Sequence, residues 1–324
     1  MSERLADYNF ALPAELIASR PLAERDASRM LVLRRRSGEI EHRNFRELPD
    51  YLEPGDLAVL NNSKVIKARL FSRDHRVELL LVESLAPRTW KSLVKPGRKM
   101  RPGFEFSIAG TMARVREILE DGSRIVEFDS EPDLERFGRM PIPPYFRREA
   151  DEEDEIRYQT VVAEPSGSVA APTAGLHFTP ELLSRIPHAL VTLHVGIGTF
   201  LPVKVERVAD HRMHSEQYSI REEAARAINA ATRILAVGTT ATRVLESQPA
   251  GPISARSAST DIFIHPPFTF RRVGALLTNF HLPRSTLLML VCAFAGRDTV
   301  LAAYAEAIRE RYRFFSYGDC MLVV

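Results

Sequence analysis

The chain has 324 residues, 45% hydrophobic and 27% charged, the proportions of a globular protein with room for two domains. With 44 basic and 42 acidic residues, its net charge of +2 excludes a globally cationic surface, so a nucleic-acid partner would meet a local basic patch. Cys292 and Cys320 lack metal or redox spacing and point to a reducing, cytoplasmic setting. The N-terminal Met-Ser-Glu-Arg-Leu-Ala-Asp-Tyr has no apolar run of the secretory kind, and residues 287–295 are too short an apolar run to cross a bilayer.

Residues 12–18 predict a short helix with proline near its start, followed by a charged loop from Arg20 to Arg29 whose arginines suit phosphates or carboxylates if they are not simply solvated. Strands are expected at 30–33 and 57–60. The second runs into Asn61 and Asn62, which can build a turn from side-chain amides or hydrogen-bond a base or ribose. From 67 the character changes. Six β-rich runs at 68–72, 77–84, 89–94, 104–108, 112–119 and 124–128 are separated by turns, including Lys95-Pro96-Gly97 and Asp121-Gly122. They predict a small antiparallel six-stranded β-barrel at 67–150, inserted between the main-domain segments 1–66 and 151–324. Lys95, Arg98, Lys99 and Arg101 form a basic cluster that suits phosphate contact or is simply a solvated hairpin tip, and Arg147 and Arg148 follow a proline-rich connector.

From 160 onward strands alternate with helices, the pattern of an α/β domain with a mixed sheet. Strands are expected at 190–195, 234–237, 275–280 and 321–324, and helices at 222–231, 241–246, 286–295 and 299–309. The stretch 169–182 collects small residues, Gly175 and His177 before a helix start: Thr179 can cap, Pro180 fits the first position, and Glu181 suits the positive end of the dipole. It reads either as a ligand floor with a proton-carrying histidine or as a tight turn with a hydrogen-bonded one. His194 and His281 also stand at strand ends, where ligands bind in such sheets. Thr239, Thr240 and Ser285 open helices and offer hydroxyls and free N–H groups to an anionic group. His211, His214 and Glu216 suggest a metal, but no fourth ligand accompanies them, and hydrogen bonding or proton transfer suits them better. A nucleophile elbow, a P-loop and a dinucleotide fingerprint are missing.

Five segments, 169–179, 191–200, 211–216, 276–288 and 311–319, with Leu22-Ala23-Glu24-Arg25, Asn61-Asn62, 93–99 and Pro143-Pro144-Tyr145 in the same order, resemble the S-adenosylmethionine:tRNA ribosyltransferase-isomerases of queuosine biosynthesis. The resemblance runs from Asp7 to the C-terminus. It implies a large mixed sheet curved into a half-barrel with flanking helices and a small inserted β-barrel. It also implies transfer of the ribosyl part of S-adenosylmethionine to the aminomethyl group of 7-aminomethyl-7-deazaguanine at the tRNA wobble position, giving epoxyqueuosine with adenine and methionine released. No resident cofactor or metal is implied, since the donor is consumed, and a monomer without a membrane is expected. His177 or His194 is the expected base, with Glu216 or Asp319 as proton partner. Arg69, Pro172, Thr173, Gly175, Thr199 and Asn279 join the expected substrate contacts, and Phe178, Phe200 or Tyr317 would stack on adenine or the target base. The segment 259–268 departs from the family, with Pro267 in place of glycine, and the insert is trimmed near 72–76. A methyltransferase would need a glycine-rich turn after the first strand and an acidic residue after the second, and no such pair occurs. A non-catalytic RNA-binding protein would not need three histidines at strand ends.

Overall fold

The computed structural model describes residues 4–196, 198, 203 and 205–324. The chain enters through three 3-10 turns instead of a helix. Pro13 opens a turn of only three residues, Ala14–Leu16, too short to propagate into the helix expected at 12–18. Strands β1 (Arg29–Leu33), β2 (Ile40–Asn44), β3 (Asp56–Asn61) and β4 (Lys64–Val65) follow. The insert holds β5 (Arg69–Phe71), β6 (Glu78–Ala86), β7 (Thr89–Lys95), β8 (Glu105–Ile108), β9 (Thr111–Ile118), β10 (Arg124–Phe128) and α1 (Leu134–Phe137). The main lobe resumes with α2 (Glu152–Arg157), β11 (Ser166–Ser168), α3 (Pro180–Ser184), β12 (His188–Leu193), β13 (Glu216–Ile220), α4 (Glu222–Ala230), β14 (Arg233–Val237) and α5 (Gly238–Glu246). It closes with β15 (Arg256–Thr260), β16 (Val273–Asn279), α6 (Thr286–Ala295), α7 (Arg297–Arg309) and β17 (Cys320–Val323).

The main sheet has the order β15-β13-β12-β3-β14-β16-β17-β1-β2. Its middle ladders, β12·β3, β3·β14 and β14·β16, are parallel, so their carboxyl ends share one rim. Composition explains the order. β3 is buried along its whole length and β14 nearly so, as parallel strands covered on both faces must be, whereas the outer strands β2 and β15 carry exposed polar residues that blunt the sheet edges. β2, β13 and β15 escape sequence reading because polar residues dilute their apolar alternation. The apolar run 287–295 becomes α6, whose residues Leu288–Cys292 are buried against the sheet, as expected of a core helix. Among the described residues, no single helix is long and apolar enough to cross a membrane.

The six expected strands of the insert form one antiparallel sheet, β5-β6-β7-β10-β9-β8. Leu70 of β5 and Ile108 of β8, from its two edges, share one apolar core, so the sheet curls round, but no ladder joins β5 to β8: it is a half-closed barrel. The trimmed turn at 72–76 is a tight hairpin in which Ser72 Oγ accepts the Val77 N–H and donates to Asp74. Entry and exit are stitched together, Arg69 and Arg139 exchanging backbone bonds of 3.2 and 2.8 Å. The connector beyond them packs on the main lobe, where Met140, Ile142 and Phe146 join Tyr158, Leu176 and Tyr317.

Candidate functional site

An open cleft of about 680 Å³ lies at the carboxyl rim of β12, β14 and β16. Its wall includes Pro172, Thr173, Val195, Thr239, Thr240, Thr278, Asn279, His281, Ser285 and Ser316. Three strand-to-helix or strand-to-loop junctions therefore meet there, as the sequence anticipates for a ligand site in such a sheet. Gly238 makes one of them possible. It joins β14 to α5 at φ +87°, and a side chain there would press on the Ala174 Cβ at 3.3 Å, so the 170–174 segment approaches the helix start closely. Thr239 and Thr240 stand in the first turn of α5, and the Thr240 hydroxyl is buried without a partner. Ser285 caps α6, accepting the Leu288 N–H at 3.2 Å and donating to the Leu282 carbonyl at 2.8 Å.

His281 is the histidine on the cleft wall. Its Nε2 pairs with Thr278 Oγ1 at 2.7 Å and its backbone N–H donates to the Tyr304 hydroxyl; burial pushes the imidazole down to about 3. Asn279 beside it donates through Nδ2 to the Phe315 carbonyl at 3.1 Å and to His177 Nε2 at 3.2 Å, leaving Oδ1 buried and unpartnered. Since the amide donates, Nε2 of His177 accepts, and Nδ1–H donates to Ser28 Oγ at 2.7 Å. His177 is thus a neutral ring with both nitrogens engaged, pushed down to about 3 by burial and then by the charges of Arg25 and Arg313. It sits behind the cleft wall and faces a second, small recess.

The other expected proton carriers are also held by the protein. Asp319, 1% exposed, accepts the N–H groups of Arg29 and Arg313 at 2.9 and 2.8 Å; burial raises its carboxyl above the ordinary range. Glu216 forms a buried ion pair with Arg243 and accepts the Gly196 N–H at 3.0 Å, anchoring the chain next to Val195. His194 donates its backbone N–H to Gln217, and burial lowers its imidazole. Its Nδ1 is buried without a partner, against Gly167, where a Cβ would lie 2.8 Å from that atom. His211 packs on Phe263 and Glu216 turns to Arg243, so these two do not converge on a cation.

Several residues expected to contact a ligand have partners within the protein. Asn61 brackets β3 to β12 through the Leu193 N–H and carbonyl, and Asn62 accepts from Thr192. Arg69 pairs with Glu78 in the insert. Gly175 faces the Thr160 methyl, where a Cβ would lie at 2.9 Å. Phe178 is fully buried, edge-on to Phe45, with no face left for a base. Tyr317 donates to Asp154 at 2.9 Å and stacks on Phe146 at 4.9 Å, which takes one ring face. Arg148 is clamped by both oxygens of Asp154 and donates to the Ser19 carbonyl, which latches the connector. Thr199 and Phe200 lie outside the described residues.

Arg98, Lys99, Arg101 and Arg147 are exposed, and Lys95 is exposed beside Glu78. Arg124, from β10, shapes the insert's basic loop by donating to the carbonyls of Gly97 and Met100. Sequence reasoning missed Ser28, Arg243, Thr278 and Ser316. The last two stand inside segments already singled out; Ser28 and Arg243 gave no local signal, because their partners are 149 and 27 residues away.

A family model described as "queuosine biosynthesis protein" matches residues 5–323. The chain is 51% identical over 337 residues to the S-adenosylmethionine:tRNA ribosyltransferase-isomerase of Thermotoga petrophila, covering 99% of this chain and all of that one. The enzyme of that name from Natranaerobius thermophilus is 48% identical, with 99% of each chain covered. A crystal structure of S-adenosylmethionine tRNA ribosyltransferase from Thermotoga maritima superposes with a TM-score of 0.57 at 43% identity, covering 98% of this chain and 100% of that chain. Matched over nearly its whole length, and with the same mixed-sheet fold, the chain belongs to the queuosine biosynthesis family of S-adenosylmethionine:tRNA ribosyltransferase-isomerases.

Proposed function

We propose that this protein transfers and isomerises the ribosyl moiety of S-adenosylmethionine onto 7-aminomethyl-7-deazaguanine at the wobble position of tRNA, yielding epoxyqueuosine-tRNA, adenine and methionine. Beyond family membership, one observation carries the reading: 170–174, the start of α5, the 278–285 junction and Ser316 converge on a single cleft. The donor's sulfonium acidifies its neighbouring C5′ protons, so the reaction begins with a base in a site that sheds water. His281 is assigned that role because it is the histidine on the cleft wall. Loss of the C5′ proton leaves an ylide, and the ribose ring then opens with departure of adenine, which takes up a proton; the aminomethyl nitrogen attacks the opened sugar, and epoxide closure expels methionine. Asn279 Oδ1, unpartnered, accepts an N–H of adenine or of the attacking amine. The first turns of α5 and α6 hold the methionine carboxylate through free N–H groups and Thr239, Thr240 or Ser285. His177 acts from behind by fixing Asn279, and Glu216 and Arg243 by fixing the chain at Gly196.

S-adenosylmethionine is a co-substrate in this scheme, the working unit is a monomer and the compartment is the cytoplasm, the last supported by the free thiols Cys292 and Cys320. The exposed Lys95, Arg98, Lys99, Arg101 and Arg147 serve the RNA backbone. The anticodon loop is single-stranded, so presenting the target base costs little. The test mixes protein, S-adenosylmethionine and tRNA carrying the aminomethyl base. Release of free adenine supports the assignment. A methylated RNA with S-adenosylhomocysteine, or RNA binding without turnover, overturns it.

A further inference from the structure

The second recess lies across Ser316 from the cleft and is lined by Arg25, Arg157, Ser28, His177, Tyr317 and Glu24. Its arginines are spent on neutral partners. Arg25 donates to the carbonyls of Leu176 and Ile156 at 3.1 and 3.0 Å, and Arg157 to that of Ala23 at 3.1 Å. Among the described residues, neither forms an ion pair. Arg157 keeps a buried Nε–H without a partner, and so does one terminal nitrogen of Arg313, whose charge also reaches His177. Guanidiniums carry five donors each, so several N–H groups here have no acceptor. Two like charges lining one small recess repel, and both burial and Arg157 depress Arg25. An arrangement that costs stability without a counter-charge is complete only when an anion enters. The acid at the mouth does not fill that need: Glu24 is exposed and turns to Arg46 at 3.0 Å. Asp154, below Tyr317, is clamped by Arg148.

We propose that the Arg25–Arg157 recess is an oxyanion site that holds a phosphodiester of the RNA substrate one wall away from the cleft. Paired planar forks are suited to a phosphate, and the shared Ser316 wall places the site where the backbone flanking an inserted nucleotide must run. The inference rests on the reading of the chain as a tRNA-modifying enzyme. The one other oxyanion in that reaction is the carboxylate of S-adenosylmethionine, and the experiment separates the two.

Arg157→Gln and Arg157→Lys are compared with the parent for tRNA affinity across a salt series, for competition by inorganic phosphate, and for the KM of each substrate in adenine release. Arg157→Gln is expected to weaken tRNA binding about tenfold, to lower the slope of log Kd against log salt by about one, and to leave the donor KM within about twofold. Inorganic phosphate should compete against tRNA less well in Arg157→Gln than in the parent, and Arg157→Lys should recover most of the affinity and slope. Unchanged tRNA affinity and slope in Arg157→Gln, or a donor KM that rises instead, overturns the proposal. If the parent protein itself releases no adenine, the proposed function fails, whereas a parent that turns over beside an unaffected Arg157→Gln sinks the anion site alone.

Discussion

Acid should weaken this fold through two rings that it keeps neutral. His177 and His281 stand at about 3 against an ordinary 6.5, chiefly because burial strips their water. A folded-state pKa below the unfolded one means that the unfolded chain takes the proton first. The stabilisation is therefore complete above pH 6.5 and is lost as pH falls toward 3. At about pH 5 the unfolded imidazole is charged and the folded one is not, a difference of about 2 kcal/mol per ring at ~1.4 kcal/mol per pH unit. Carboxylates ordinarily titrate near ~4, below this window. Urea unfolding of the parent and of His177→Gln, each at about pH 7 and pH 5, isolates one ring, because packing losses cancel in the pH difference. The parent should lose about 2 kcal/mol more than the variant over that interval. Equal losses would refute the claim that His177 is neutral and engaged at both nitrogens.

The other expectations concern the ion pair, a helix cap and the cleft. Arg243→Met strands the Glu216 carboxylate in the core and should cost about 3–5 kcal/mol by urea unfolding, with part recovered when Glu216→Gln is added; an unaffected single variant would show that the pair is solvated. Ser285→Ala removes the acceptor for the Leu288 N–H and should cost about 1 kcal/mol by calorimetry; no loss would mean that water replaces the cap. His281→Ala should slow adenine release by about a hundredfold or more with its near-ultraviolet dichroism retained. His177→Ala, acting through Asn279, should also abolish most turnover in a folded protein, and near-normal rates would remove it from the machinery.

Local patterns decided the elements that bury one uninterrupted stripe. The apolar run of α6, with Ser285 before it, and the strand of Arg233–Val237 were legible because periodicity and capping act within a few residues. β13 was not, since Glu216, Gln217 and Ser219 dilute its alternation, and only pairing with β12 and β15 makes it a strand. The site followed the same division. Thr239, Thr240, His281 and Ser285 were marked by their places at strand and helix ends, and they line the cleft.

The roles of the charged and aromatic candidates were a different matter. Phe178, Tyr317, Asp319, Arg148 and Glu216 stood in motifs that spoke equally of substrate and of scaffold, and the folded chain gives each an internal partner. A sequence determines which residues can cap, alternate or turn, because those preferences are local. Whether a carboxylate meets a ligand or an arginine depends on what lies across the sheet, as with Ser28 and His177, brought to 2.7 Å across 149 residues of chain. Burial and partner choice are properties of the packed whole, and they set which histidine stands on the cleft wall and which behind it.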